Sequence, residues 1–215
     1  MYMMQSNDLT AEALSRGAIP GRGYAIARRI SQILHPVPLG IVSIFIVGVF
    51  GSDNRINGLW WSLLCALLHV VPPTIFFNIR LQQGAYSDDD ISVRTQRNEL
   101  YLFGMVNVLI GTVILWALHA PLPLLAMLVS VAVMNFLSFL INLFWKISIH
   151  SASIGSCATL ASIYLPALGG VCWAAAIVLG WARLRTRNHT LMQVIAGISL
   201  AVVCVLVVYR LFGLI

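Results

Sequence analysis

Arg183, His189 and Gln193 stand in a short polar break between two long apolar segments, in the stretch Trp181-Ala-Arg-Leu-Arg-Thr-Arg-Asn-His-Thr-Leu-Met-Gln193. Gln193 falls one helical turn beyond His189, near enough to reach back to its imidazole. A guanidinium holds an anion through paired N–H donors, and an imidazole is a nucleophile, so the set has the parts needed to attack a phosphate. Two other stretches carry similar groups. Lys146-Ile-Ser-Ile-His150 places a lysine and a histidine four residues apart, the spacing of one helical face, with Ser148 between them. Ser87–Asn98 holds Asp88, Asp89 and Asp90, three of the chain's seven acids, together with Arg94 and Arg97. Taken singly, each cluster reads as readily as a solvated loop or a snorkelling cation at a segment end.

The elements that must position these residues are membrane helices. The chain has 215 residues, 60% hydrophobic and 9% charged, where a soluble domain carries about 25% charged residues. Apolar runs approach or exceed the ~20 residues that cross a bilayer as a helix, and no two-residue alternation suggests a barrel. The expected fold is all-α: a polytopic bundle of six to seven transmembrane segments plus an N-terminal interfacial helix. Spanning segments are expected near 36–51, 58–80, 99–118, 121–145, 151–167, 169–183 and 189–212. Pro72-Pro73 should bend the second, and Pro166 with Gly169-Gly170 should turn the chain between the fifth and sixth.

Two regions follow from this division, 1–35 and 36–215. Residues 1–20 are polar and small and read as a frayed terminus. Over 21–35, Ile26, Ile30, Ile33 and Leu34 share one helical face while Arg28, Arg29 and Gln32 fall largely on another, the pattern of a helix lying in the membrane interface. No signal peptide is visible, as no apolar core precedes residue 30.

Topology brings the three clusters together. If all seven segments cross, the N-terminus and the breaks at 81–98, 146–150 and 183–189 share one side. Of 13 Lys and Arg residues, only Arg55 and Arg210 lie on the other. Setting aside Arg94, Arg97, Lys146 and Arg183 as residues kept for chemistry leaves the bias intact, so the charged side is expected to be cytoplasmic. The formal net charge of +6 then points to anionic headgroups or an anionic substrate, and not to nucleic acid, since no aromatic residues interleave with the basic ones.

With order and sidedness set out, the sequence resembles the type 2 phosphatidic acid phosphatase superfamily of membrane phosphatases, over about residues 60–212. That family's motifs read K-x6-R-P, P-S-G-H and S-R-x5-H-x3-D. Asp90-x6-Arg97-Asn98 matches the first in its arginine only. Ile147-Ser148-Ile149-His150 keeps the serine and histidine of the second. Arg183-x5-His189-x3-Gln193 keeps the spacing of the third, with Ala182 for serine and Gln193 for aspartate.

The resemblance implies a lipid phosphatase acting without metal or other cofactor. Its substrate would be a phosphomonoester or diphosphate on a lipid such as phosphatidic acid, phosphatidylglycerol phosphate or an isoprenoid (polyprenyl) phosphate. His189 would become a phosphohistidine and His150 would protonate the departing alkoxide. Arg97 and Arg183 would hold phosphate oxygens, with groups around Ser148 stabilising the transition state. Gln193 would orient His189 without the full charge of an aspartate. Arg94 or Lys146 would stand in for the missing lysine, and Asp88 and Asp90 would brace the arginines.

Two rival readings remain. One is a prenyltransferase holding Mg²⁺ at Asp88-Asp89-Asp90, for which a second acid pair downstream of Glu99 is missing. The other is a lipid-binding or transport relative without activity.

The remaining polar residues read as structural. His69 is expected to bond, neutral, to a carbonyl freed by the prolines. Asn135, Ser138 and Asn142 should join helices, and His35 and His119 should lie near the interface. Trp60, Trp61 and Trp145 read as interface anchors, and Cys65, Cys157, Cys172 and Cys204 as packing residues.

Overall fold

A computed structural model describes residues 6–215 as an all-helical bundle, with no strand among the described residues. The helices are α1 (Ser6–Ser15), α2 (Arg22–Ile33), α3 (Pro36–Phe50), α4 (Arg55–His69), α5 (Val71–Gln82), α6 (Arg97–Ala117), α7 (Leu122–Asn142), α8 (Ile149–Tyr164), α9 (Pro166–Arg185) and α10 (Leu191–Leu211). Six helical stretches are long and apolar enough to cross a membrane: 22–50, 55–82, 94–117, 122–142, 166–185 and 191–211.

The expected segment missing from these six is the fifth, α8, whose 16 residues span only about 24 Å. It is the core of the bundle, buried almost continuously from His150 to Ala161 and packed against α3, α9 and α10. A helix surrounded by protein can be shorter than the bilayer, because its polar ends are satisfied by neighbours rather than by water. Gly197 allows α10 to approach its first turn, where a Cβ would lie 2.6 Å from the Ser148 carbonyl oxygen.

The prolines act as expected in one place and differently in another. Pro72 and Pro73 occupy the first turn of α5 and break the second segment at Val70. His69 Nδ1 lies 3.0 Å from the Cys65 carbonyl oxygen, a group one turn back and not a carbonyl freed by the prolines. Its ring fits against α6 because Gly111 has no side chain there, where a Cβ would lie 2.5 Å from Nε2. The turn between α8 and α9 is made at Leu165 alone. Gly169 and Gly170 lie inside α9, and Gly169 packs onto Ser162.

The N-terminal region corrects one expectation and gives another its orientation. Residues 6–15 form a helix, not a frayed end, with Ala13 fully buried against Ala18 and Tyr24. Helix α2 packs against α9, and it is inside out relative to an interfacial helix on a soluble core. Arg28 is 4% exposed, while Ile26 and Ile33 are 53% and 71% exposed. The reason is environmental: in a membrane protein the polar cluster is inside and the apolar medium outside, so the same amphipathic pattern turns around.

The polar asparagines of α7 join helices as expected. Asn135 Nδ2 donates to the Tyr101 carbonyl at 3.2 Å, and Asn142 Nδ2 donates to Asn98 Oδ1 at 2.8 Å. Ser138 is buried.

Candidate functional site

The site lies at the end of the bundle where α8 and α10 begin and α9 finishes, and its spacing follows from helix capping. The chain leaves α9 through paired bonds, Arg187 N–H to the Leu184 carbonyl at 3.0 Å and Asn188 N–H to the Arg183 carbonyl at 3.2 Å. Arg187 sits in the left-handed region at φ 52°, the place where such caps usually carry glycine. Thr190 then caps α10: its hydroxyl accepts from Gln193 N–H, and Gln193 Oε1 accepts from Thr190 N–H. These two caps leave His189 between the helix ends, facing inward and 6% exposed.

Gln193 reaches His189 as the sequence suggested, with Nδ1 and Oε1 3.1 Å apart. An amide oxygen can only accept, so the proton is on Nδ1 and the Nε2 lone pair is free. Burial, together with the positive charges of Arg183, Arg97 and Lys146, pushes the imidazole's pKa down to about 2. His189 is therefore neutral across the working pH range, in a field that is positive from three directions.

Arg97 opens α6 and is 2% exposed. Nε donates to the Ile91 carbonyl at 2.8 Å, Nη1 to the Ile147 carbonyl at 3.0 Å and Nη2 to the Asp90 carbonyl at 3.3 Å. It ties the 88–92 loop to the α7–α8 connection while keeping two of its five N–H donors. Lys146 is not on a helical face with His150, because residues 143–148 form a connection between helices. It arrives by that loop, and its Nζ donates to the Asn188 carbonyl at 3.0 Å. Burial and the neighbouring Arg97 and Arg183 lower its pKa to about 8. Arg94 goes elsewhere: its guanidinium donates to the Asn142 carbonyl at the end of α7, so of the two stand-ins for the missing lysine only Lys146 joins the cluster.

Ser148 is the N-cap of α8. Its Oγ accepts from Ser151 N–H at 3.3 Å and from the Ser151 hydroxyl at 2.8 Å, and its own N–H is taken by the Gln193 carbonyl at 3.3 Å. Only its hydroxyl proton is left to offer.

Asp90 is the hub. Asp88 Oδ1 accepts from Asp90 N–H at 2.9 Å and Ser92 N–H at 3.1 Å. Ile91 adopts φ 45°, a conformation uncommon for a β-branched residue. This tight turn drives the Asp90 side chain inward, where it is 3% exposed. Arg183 Nη1 donates to it at 3.0 Å, Asn188 Nδ2 at 2.6 Å and Arg16 Nη1 at 3.1 Å, with Arg28 Nη1 at 3.6 Å and His150 Nε2 at 3.9 Å. Burial alone would raise the carboxyl's pKa; Arg183, His150, Arg28 and Arg16 overcome it and hold it well below the usual range. Arg183, 1% exposed, retains a buried Nε with no partner among the described residues.

Several contributors escape a reading by motif. Arg16 and Arg28 come from the N-terminal helices, Asn188 bridges Lys146 and Asp90, and His35 packs its ring edge-to-face on His150 with centroids 5.3 Å apart. His35 also caps α3, its Nδ1 accepting from Val37 N–H at 3.3 Å. The only sequence signals were the Arg-bearing face of α2 and the His-Pro pair before the first span.

The Asp88, Asp89 and Asp90 carboxylates lie within 4.8 Å of one another, yet they are already engaged. Asp88 closes its own turn, Asp89 takes Arg28 Nη2 at 2.6 Å, and Asp90 takes Arg183. A divalent cation there would have to displace arginines, which does not fit a Mg²⁺–diphosphate seat.

Compared with known protein families, with characterised proteins and with solved structures, the chain has no match in any of the three. What stands is a polytopic membrane helix bundle with a buried cluster of His150, His189, Lys146 and four arginines (Arg16, Arg28, Arg97 and Arg183) organised about Asp90 at one end.

Proposed function

We propose that this protein is an integral-membrane phosphatase that hydrolyses a lipid or polyprenyl phosphate through a phosphohistidine. One observation carries the reading: a neutral, buried imidazole has its Nδ1–H held by Gln193 and is surrounded by the charges of Arg183, Arg97 and Lys146. Such a place favours a phosphate dianion and presents it with a nucleophile. In the first step His189 Nε2 bonds to phosphorus while the P–O bond to the lipid alkoxide breaks. His150 gives the leaving oxygen its proton. In the second, water attacks phosphorus with His150 taking its proton, the P–N bond breaks, and inorganic phosphate leaves.

Arg183 offers its unpartnered Nε to a phosphate oxygen, and Arg97 its two remaining donors. Lys146 supplies the third cation. Asp90 keeps Arg183 and His150 in register when the site is empty.

The test is phosphate release from a panel of lipid phosphates by purified protein, combined with trapping of an acid-labile phosphoprotein from labelled substrate. No release from any member and no trapped label would sink the reading and leave a lipid-binding or transport role.

The charge of Lys146 makes a pH prediction. With a pKa near 8 it is protonated below that value and neutral above it, so substrate KM should rise as pH increases through about 8. Lys146→Arg keeps its charge to beyond about pH 12, and its KM should stay flat over the same range. An unchanged alkaline limb in the arginine variant would assign the titration to another group.

The charge bias supports a site on the cytoplasmic side. In that orientation a cysteine introduced as Ser87→Cys resists an impermeant maleimide added to intact cells and reacts once the membrane is opened. Labelling from outside would reverse the orientation.

A further inference from the structure

We propose that the crevice on the outer flank of the end of α9 is a second binding site, one that takes the anionic headgroup of a membrane phospholipid. Arg183 and Arg185 lie two residues apart on a helix and therefore point in nearly opposite directions. Arg183 enters the buried cluster, while Arg185 is half-buried on the other side. There it lines a crevice of about 280 Å³ with Ile19, Trp181, Leu184 and Arg187.

Both arginines are seated against the N-terminal turn where glycines leave room. A Cβ on Gly23 would lie 3.3 Å from Arg185 Nε, and one on Gly17 would lie 3.3 Å from Arg187 Nη1. The nearby carboxylates are spent on other partners, Glu12 and Asp90 on Arg16 and Arg28, and Asp90 also on Arg183. Neither Arg185 nor Arg187 forms an ion pair among the described residues. Among the described residues the crevice thus holds two cations without a counter-charge, which calls for an anionic ligand; guanidinium forks suit phosphate oxygens.

The rest of the lining says that the anion carries an apolar body. Ile19, Trp181 and Leu184 are apolar, with Ile19 65% and Trp181 45% exposed at the membrane end of a spanning helix. A tryptophan at this level is suited to the boundary between headgroup and acyl chain. A bound headgroup would join Arg185 and Arg187 of the α9 end to the 17–23 turn. It would thereby fasten α1 and α2, which carry Arg16 and Arg28 to Asp90.

The experiment uses the full chain in neutral detergent, titrated separately with phosphatidylglycerol, phosphatidylcholine and inorganic phosphate. Binding is read as the unfolding midpoint and as lipid retained in native mass spectrometry. Phosphatidylglycerol should raise the midpoint and stay bound, and the other two should not. Arg185→Ala with Arg187→Ala should weaken phosphatidylglycerol about 30-fold, as expected for two interfacial arginines, and the paired glutamine variants should behave alike.

Arg22→Ala with Arg29→Ala removes the same charge from two exposed arginines outside the crevice, and should leave affinity unchanged. Equal weakening in both pairs would reduce the effect to diffuse attraction and overturn the site. Equal binding of phosphatidylcholine would overturn its charge selectivity, and tight binding of inorganic phosphate alone would overturn the lipid assignment.

Discussion

His189→Ala is expected to lower phosphate release by about 10⁴-fold or more, the scale seen when a nucleophile that works with a partner base or acid is removed. No other group is placed to take over the bond to phosphorus, because Arg183, Arg97 and Lys146 are cations, the Asp90 carboxylate is held by Arg183, Arg28 and Arg16, and the Ser148 lone pairs are already in use. KM should change far less, since Arg183, Arg97 and Lys146 remain. The trapped phosphoprotein should disappear with the activity. A variant that retains wild-type turnover would remove His189 from the mechanism.

Gln193→Glu tests the same imidazole from behind. It keeps the reach to Nδ1 and adds the charge that stabilises an imidazolium, so formation of the phosphoprotein should accelerate by about tenfold, or 1.4 kcal/mol. An acceleration absent in Glu and a loss in Ala would make Gln193 a tether only.

Stability carries a second readout of His189. Its pKa is about 2 in the fold and near 6.5 in an unfolded chain, so the unfolded state binds the extra proton between those values. Stability from this group is complete above about pH 6.5 and falls with acidification by at most about 1.4 kcal/mol per unit. His189→Ala should make the pH 5–6.5 part of the profile shallower, by at most that amount, even while it abolishes turnover.

The sequence made the Arg183–His189–Gln193 cluster legible because its geometry is local. The distance from Arg183 to His189 is set by two adjacent helix caps, and that from His189 to Gln193 by one turn of helix, so spacing alone carried the information. The sidedness of the other clusters was legible through hydropathy, since alternating crossings fix which breaks share an end. What spacing could not carry was direction. Arg94 and Arg97 are three apart on adjoining turns, and only packing against α7 decides that one faces the Asn142 carbonyl and the other the site. Lys146 and His150 matched a helical face, but the helix begins three residues after the lysine, at Ile149.

For α2 the sequence carried the amphipathic pattern but not its orientation, for a related reason. An amphipathic pattern says that two faces differ, and the surrounding medium says which of them turns inward. Arg16, Arg28 and Asn188 entered the cluster through contacts 61 to 172 residues away in sequence, and no local pattern encodes those.

Asp90→Asn is expected to be the most damaging single change to stability, at about 3–5 kcal/mol, the usual cost of removing one partner from a buried ion pair. The carboxylate is 3% exposed and faces Arg183 at 1% and Arg28 at 4%. Asparagine fills the same volume and accepts hydrogen bonds, but it leaves the Arg183 charge without its carboxylate partner, while Arg28 keeps Asp89 and Glu12. For a chain of this length the loss corresponds to a fall in Tm of about 10 °C. Phosphate or sulfate should restore much of it, because an anion can take the seat that the carboxylate vacated, and the wild-type protein should gain less from the same anion.

Acid should imitate the substitution. The Asp90 carboxyl is held well below its ordinary value, so its contribution is full above about pH 4 and is lost as pH falls further; the variant should lack that limb. Turnover should fall as well, since the Asp90 carboxylate 3.9 Å from His150 Nε2 opposes the burial and the Arg183 charge that hold this imidazole's pKa well below its ordinary value, and without it His150 would be harder still to protonate. A variant with wild-type Tm and no response to anions would mean that the arginines are compensated by other groups, and that the cluster is not organised around Asp90.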